Sequence, residues 1–63
     1  MPIIQVHLIT GRSTEVKRKF AADVTKLACE HLSTVPEHVR VIFHDMPRED
    51  FAIGGILSCD KDK

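Results

Sequence analysis

The chain has 63 residues, nine basic and nine acidic, with a hydrophobic content of 43%. That length suits one small domain over residues 1–63, and a chain so short buries only about 60% of its unfolded surface. Balanced charge excludes a basic field for nucleic acid or an anionic membrane, no apolar run reaches the roughly 20 residues of a membrane span, and two cysteines are too few for a disulfide-built secreted scaffold. The start, Met-Pro-Ile-Ile-Gln-Val-His, lacks the basic and apolar regions of a signal peptide. A soluble, cytoplasmic chain is therefore expected, with oligomerisation as its source of stability.

Pro2–Ile9 reads as a strand rich in β-branched residues, with Pro2, Ile4, Val6 and Leu8 on one face and Ile3, Gln5, His7 and Ile9 on the other. Thr10-Gly11-Arg12 reads as a turn, and Ser13 as the N-cap of a helix with Glu15 in its first turn. Over Thr14–Leu32 the period changes to three and four, with Val16, Phe20, Val24, Leu27, Ala28 and His31 as the inward stripe. Ser33, Thr34 and Pro36 end the helix, because a proline disfavours helical geometry in the residue before it.

A second strand is expected over Val39–His44. Two strands joined by a long helix form a β-α-β unit, so they should run parallel with a right-handed crossover. Met46–Asp50 reads as a polar connection, and Phe51–Leu57 as a short hairpin turning at Gly54-Gly55. Residues 58–63 read as a frayed polar tail. The fold class is α/β (α+β), and a two-stranded sheet with one helix leaves edges that invite another chain.

Three features stand out as candidate chemistry. Pro2 suits the start of a strand because it donates no ladder hydrogen bond. If Met1 is removed, however, it carries a secondary amine, and an apolar pocket with nearby guanidinium groups would favour the neutral, basic form. Arg12 follows a strand and precedes a helix, as solvated arginines often do. Arg40 is expected to be partly buried in an apolar strand, where it would need an anionic partner. Two such planar forks can clamp the carboxylates of a small diacid. The four histidines, His7, His31, His38 and His44, show no spacing typical of a metal site. Cys29 reads as core filler, Cys59 as a tail thiol, and Phe51 as either core or pocket wall.

The order and spacing of Pro2-Ile3-Ile4-Gln5-Val6-His7, Gly11-Arg12-Ser13, Val39-Arg40-Val41-Ile42 and Phe51-Ala52-Ile53-Gly54-Gly55 resemble the 4-oxalocrotonate tautomerase family, over Pro2 to about Leu57. The resemblance implies an amino-terminal proline base, here Pro2. It also implies a carboxylate-binding Arg12, an Arg40 from a neighbouring subunit that binds the 2-hydroxy or 2-keto group and adjacent carboxylate, and Phe51 as apolar pocket wall. The implied reaction is 1,3-proton transfer in an unsaturated 2-hydroxy or 2-oxo acid such as 2-hydroxymuconate, within aromatic-compound catabolism. It needs no metal or organic cofactor, and the implied assembly is a homohexamer, a trimer of dimers. Ala52 stands where glycine is common and His38 where small polar residues are often found, which bears on pocket size and substrate choice.

Two alternatives stay open. A hydratase or dehalogenase acting on a haloacrylate would need a water-activating carboxylate; Glu49 and Asp50 precede Phe51, while Ala52 and Ile53 supply none. A non-catalytic oligomeric module is the reading if Met1 is retained, because Pro2 is then an amide.

Overall fold

The computed structural model describes residues 1–61. Strand β1 spans Ile3–Ile9, helix α1 Thr14–Leu32, strand β2 Arg40–Met46, and a hairpin is built from β3, Ala52–Ile53, and β4, Ile56–Leu57. Strands β1 and β2 pair in parallel in the register Ile3↔Arg40 to Ile9↔Met46, and β3 and β4 pair antiparallel. This is the expected β-α-β unit followed by a hairpin.

Local chemistry explains the boundaries. Pro2 lies just outside β1 because it has no N–H to give the ladder, yet its carbonyl accepts from the Arg40 N–H at 3.0 Å. The Ser13 side chain accepts from the Val16 N–H and caps α1, whose far end turns through Ser33 in the left-handed region, φ 54°. Gly54 and Gly55, at φ 61° and 84°, make the turn that right-twisted hairpin strands require.

The structure corrects the bounds of the second strand and the reading of the tail. Strand β2 starts one residue later than expected and runs on to Met46, because Asp45 and Met46 still find partners in Leu8 and Ile9 and Thr10 N–H closes on the Met46 carbonyl at 2.9 Å. Asp45, poor in β-propensity, is accommodated by an ion pair with Lys17 of α1. Between α1 and β2, Pro36–His38 forms a single 3₁₀ turn, with Pro36 at its start. Residues Ser58–Asp60 also form a 3₁₀ turn, pinned by Arg48 Nη2 donating to the Ser58 carbonyl at 2.8 Å, so this part of the supposed tail is ordered. The rest of that tail, residues 62–63, lies outside the described residues.

The helix covers one face of the sheet. Ile4, Val6 and Leu8 of β1 and Val41 and Phe43 of β2 are half-buried on that side, and Phe20 meets Phe43 edge to face with centroids 6.1 Å apart. Ala28 is the sole buried hydrophobic among the described residues. The inward face of α1 is rotated from the expected stripe towards Lys17, Ala21, Val24 and Ala28, which leaves Val16 and Leu27 more than half exposed, at 53% and 54%. The apolar arc of the helix is simply wider than two strands can cover. On the opposite face of the sheet Ile3, Gln5, His7, Arg40, Ile42 and His44 are exposed, and only its far end, at Ile9 and Met46, is half-buried among the described residues.

Candidate functional site

The four residues singled out by sequence fall into two groups at opposite ends of the β1–β2 sheet. Pro2 and Arg40 occupy the end where both strands begin, joined by the Arg40 N–H to Pro2 carbonyl bond. Arg12 lies just past the other end of β1, where its Nη1 donates to the Ile9 carbonyl at 3.0 Å. Seven strand residues separate Pro2 from that end, a rise of about 20 Å. One chain therefore brings Pro2 beside Arg40 but not beside Arg12.

Arg40 is the first residue of β2 and exposed, which corrects the expectation of a partly buried arginine within the strand. Its Nη1 donates to the Glu37 carbonyl at 3.1 Å, a group offered by the Pro36–His38 turn. That turn also sets His38 two residues from Arg40, at the Pro2 end of the sheet.

The two arginines share an electrostatic trait. Lys17, Arg18 and Lys19 are paired with Asp45, Glu15 and Asp23 respectively. Among the described residues Arg12 and Arg40 form no ion pair; each rests on a backbone carbonyl instead. A carbonyl orients a guanidinium without neutralising it, and the remaining N–H groups of the fork stay available to an anion.

Phe51 follows the 3₁₀ turn Arg48–Asp50 and holds the hairpin to the closing turn, its carbonyl accepting from Ser58 N–H at 2.8 Å. With Ile9, Ile53 and Ile56 it lines an open apolar recess of about 190 Å³, edged by Ser58 and Lys61. Because Ile9 carries the Arg12 guanidinium on its carbonyl, this recess and Arg12 share one end of the molecule. The roles of Ile9, Ser58 and Lys61 in the recess were not legible in the sequence, since only the folded hairpin brings them to Phe51. The closeness of Pro2 and Arg40 had a signal: aligning the starts of two parallel strands would have shown it.

Among the described residues no group of three or more His, Cys, Asp or Glu side chains is placed to hold a metal ion. Cys29 and Cys59 are half-buried free thiols. No described helix is long and apolar enough to cross a membrane.

Comparison with known proteins gives this arrangement a context. Residues 2–60 match the family model described as tautomerase enzyme. The 2-hydroxymuconate tautomerase of Pseudomonas fluorescens is 40% identical over 55 residues, 87% of each chain. A crystal structure of a 4-oxalocrotonate tautomerase homologue superposes with a TM-score of 0.92 at 36% identity, covering 100% of both chains. A heterohexameric 4-oxalocrotonate tautomerase from Chloroflexus aurantiacus superposes with a TM-score of 0.88 at 26% identity, over 97% of this chain and 98% of that one.

Proposed function

The chain belongs to the tautomerase family, and from that premise we propose that it moves a proton between allylic positions of an unsaturated 2-hydroxy or 2-oxo acid such as 2-hydroxymuconate. Pro2, freed of Met1, is the base. Its neutral secondary amine takes a proton from the substrate hydroxyl or an activated carbon, the charge spreads through the dienol towards a carboxylate, and the protonated amine returns the proton to another carbon. One group acts as base and then as acid, so no second titrating residue is required.

Arg12 and Arg40 are the carboxylate and oxygen clamps. Their unneutralised charge stabilises the anion that develops as the proton leaves, which is where electrostatic help is most effective. Phe51 walls the apolar side of the site and disfavours the charged form of the amine.

The observation that carries this reading is the placement of Pro2. The last residue before β1 is tied through its carbonyl to the backbone N–H of Arg40, so a freed amine would stand at a fixed point at the end of the sheet where β2 begins. Arg12 and Phe51 would be supplied by another copy, since one chain keeps them at the far end of the sheet from Pro2, and Arg40 by a neighbouring subunit as the family resemblance implies. A homohexamer built as a trimer of dimers supplies such neighbours, and a relative of hexameric build supports it.

The test is an ultraviolet assay of 2-hydroxymuconate ketonisation with two preparations of verified intact mass, one lacking Met1 and one retaining it. The Met-free chain should turn over substrate, and the Met1-bearing chain should lose most of that activity while folding and assembling normally. A positioned general base contributes about 10²–10⁴-fold, which sets the size of the expected loss. Equal activity in both preparations would remove Pro2 as the base.

A further inference from the structure

The uncovered face of the β1–β2 sheet carries a pair of side chains that proton transfer does not use. His7 and His44 are register partners across the parallel ladder. Their imidazole rings lie face to face, centroids 4.5 Å apart and planes 9° from parallel. Both residues are exposed on the side away from α1. Neighbouring strands run about 4.8 Å apart, so the ladder holds the two backbones at a spacing that suits side-by-side rings.

We propose that His7 and His44 form a two-imidazole chelate for a divalent transition-metal ion of the nickel, copper and zinc group. Neutral imidazole suits these ions, whereas magnesium and calcium select oxygen ligands. Metal–nitrogen bonds of about 2.0–2.1 Å at tetrahedral or square angles place two ligating nitrogens roughly 3 Å apart. The stacked rings reach that separation by turning about χ2, a broad torsion for histidine.

The surroundings favour a cation. The flanking register pairs on the ladder are Val6↔Phe43 and Leu8↔Asp45, which face α1, and on the open face Gln5↔Ile42 and Ile9↔Met46. None of these supplies a positive charge. The nearest basic residue by position on the open face is Arg40, four residues before His44 and about 13 Å along the strand. Asp45, although adjacent in sequence, points to the helix side and is engaged by Lys17. With only two protein ligands, the remaining coordination positions belong to water or to the same pair on a second copy. Either gives a labile site, suited to reinforcing an assembly whose single chains have little core.

The experiment titrates nickel chloride into the full chain lacking Met1, followed by calorimetry. Saturable uptake of one ion per histidine pair, or one ion per two pairs, is expected. His7→Ala and His44→Ala should each weaken uptake at least tenfold, while His31→Ala and His38→Ala leave it unchanged. Should a His7 variant fail to fold, two measurements remain: His44→Gln in the same titration, and selective broadening of the His7 and His44 ring-proton resonances of the intact protein by substoichiometric nickel. Absence of saturable uptake would overturn the proposal, as would uptake that survives replacement of both residues or broadening centred on His31 or His38. None of these results bears on the isomerase reading, which the activity of the metal-free protein tests separately.

Discussion

Arg40 offers the sharpest test at the scale of single residues. Its guanidinium is exposed and oriented by the Glu37 carbonyl, so removing it takes nothing from the core and leaves no buried charge behind. Under the proposed mechanism its contact strengthens as negative charge develops. Arg40→Ala should therefore lower kcat as well as raise KM, together about 10²-fold or more in kcat/KM, on the scale of a lost electrostatic donor. Steady-state kinetics with 2-hydroxymuconate, alongside a thermal melt unchanged within a few degrees, is the measurement. An Arg40→Ala enzyme with wild-type constants would return this arginine to an ordinary solvated role. The chain's composition announced the arginines, but not that both would rest on carbonyls; that follows from two short turns whose geometry only the folded backbone reveals.

Among the elements, the hairpin turn is the most exacting. Gly55 sits at φ 84° with open space where a Cβ would be, so a side chain there meets no neighbour and suffers only from the backbone conformation. Gly55→Ala should destabilise the hairpin by about 1 kcal/mol, read as a shift in urea midpoint with unchanged slope. Because Phe51 is tied to Ser58 across the same hairpin, activity should fall further than stability alone accounts for. Much at this scale was legible in the sequence. The Ser13 cap, the change of period at Thr14 and the Gly54-Gly55 pair are local signals, and the helix and hairpin stand where those signals put them. The miss at the end of β2 has a tertiary cause: Asp45 joins the strand because Lys17 of the helix takes its charge and Leu8 takes its backbone. The rotation of the buried face of α1 is likewise invisible locally, since an apolar arc of that width does not say which part of it two strands will cover.

The whole chain is more open than a compact monomer of its length. Its radius of gyration is 15.0 Å, against about 11 Å for a compact chain of this length. It exposes 4917 Å², where a compact monomer of its mass would expose about 4100 Å². The excess includes Val16 and Leu27 on the helix and Ile53 and Ile56 on the hairpin, apolar surface that a second copy would cover. Leu27→Asp should therefore dissociate the assembly without disturbing any residue proposed to act on substrate. Sedimentation velocity at micromolar concentration would show species smaller than the wild type, with activity lost in parallel. A wild-type chain that sediments as a stable folded monomer would defeat the oligomeric reading.

The seven-residue distance between the two ends of β1 also makes the proposed enzyme divisible. If the proton acceptor and the first carboxylate clamp of each site belong to different copies, then Pro2-blocked chains and Arg12→Ala chains are each inactive alone for different reasons. Unfolded together in equal amounts and reassembled, they would form some sites that draw a sound amine from one parent and a sound guanidinium from the other. Random assortment of the two parents over such a shared interface restores about a quarter of the native sites. Activity regained from two inactive parents would thus show that the amine and the Arg12 guanidinium of one site come from different chains, by arithmetic alone and without any image of the assembly.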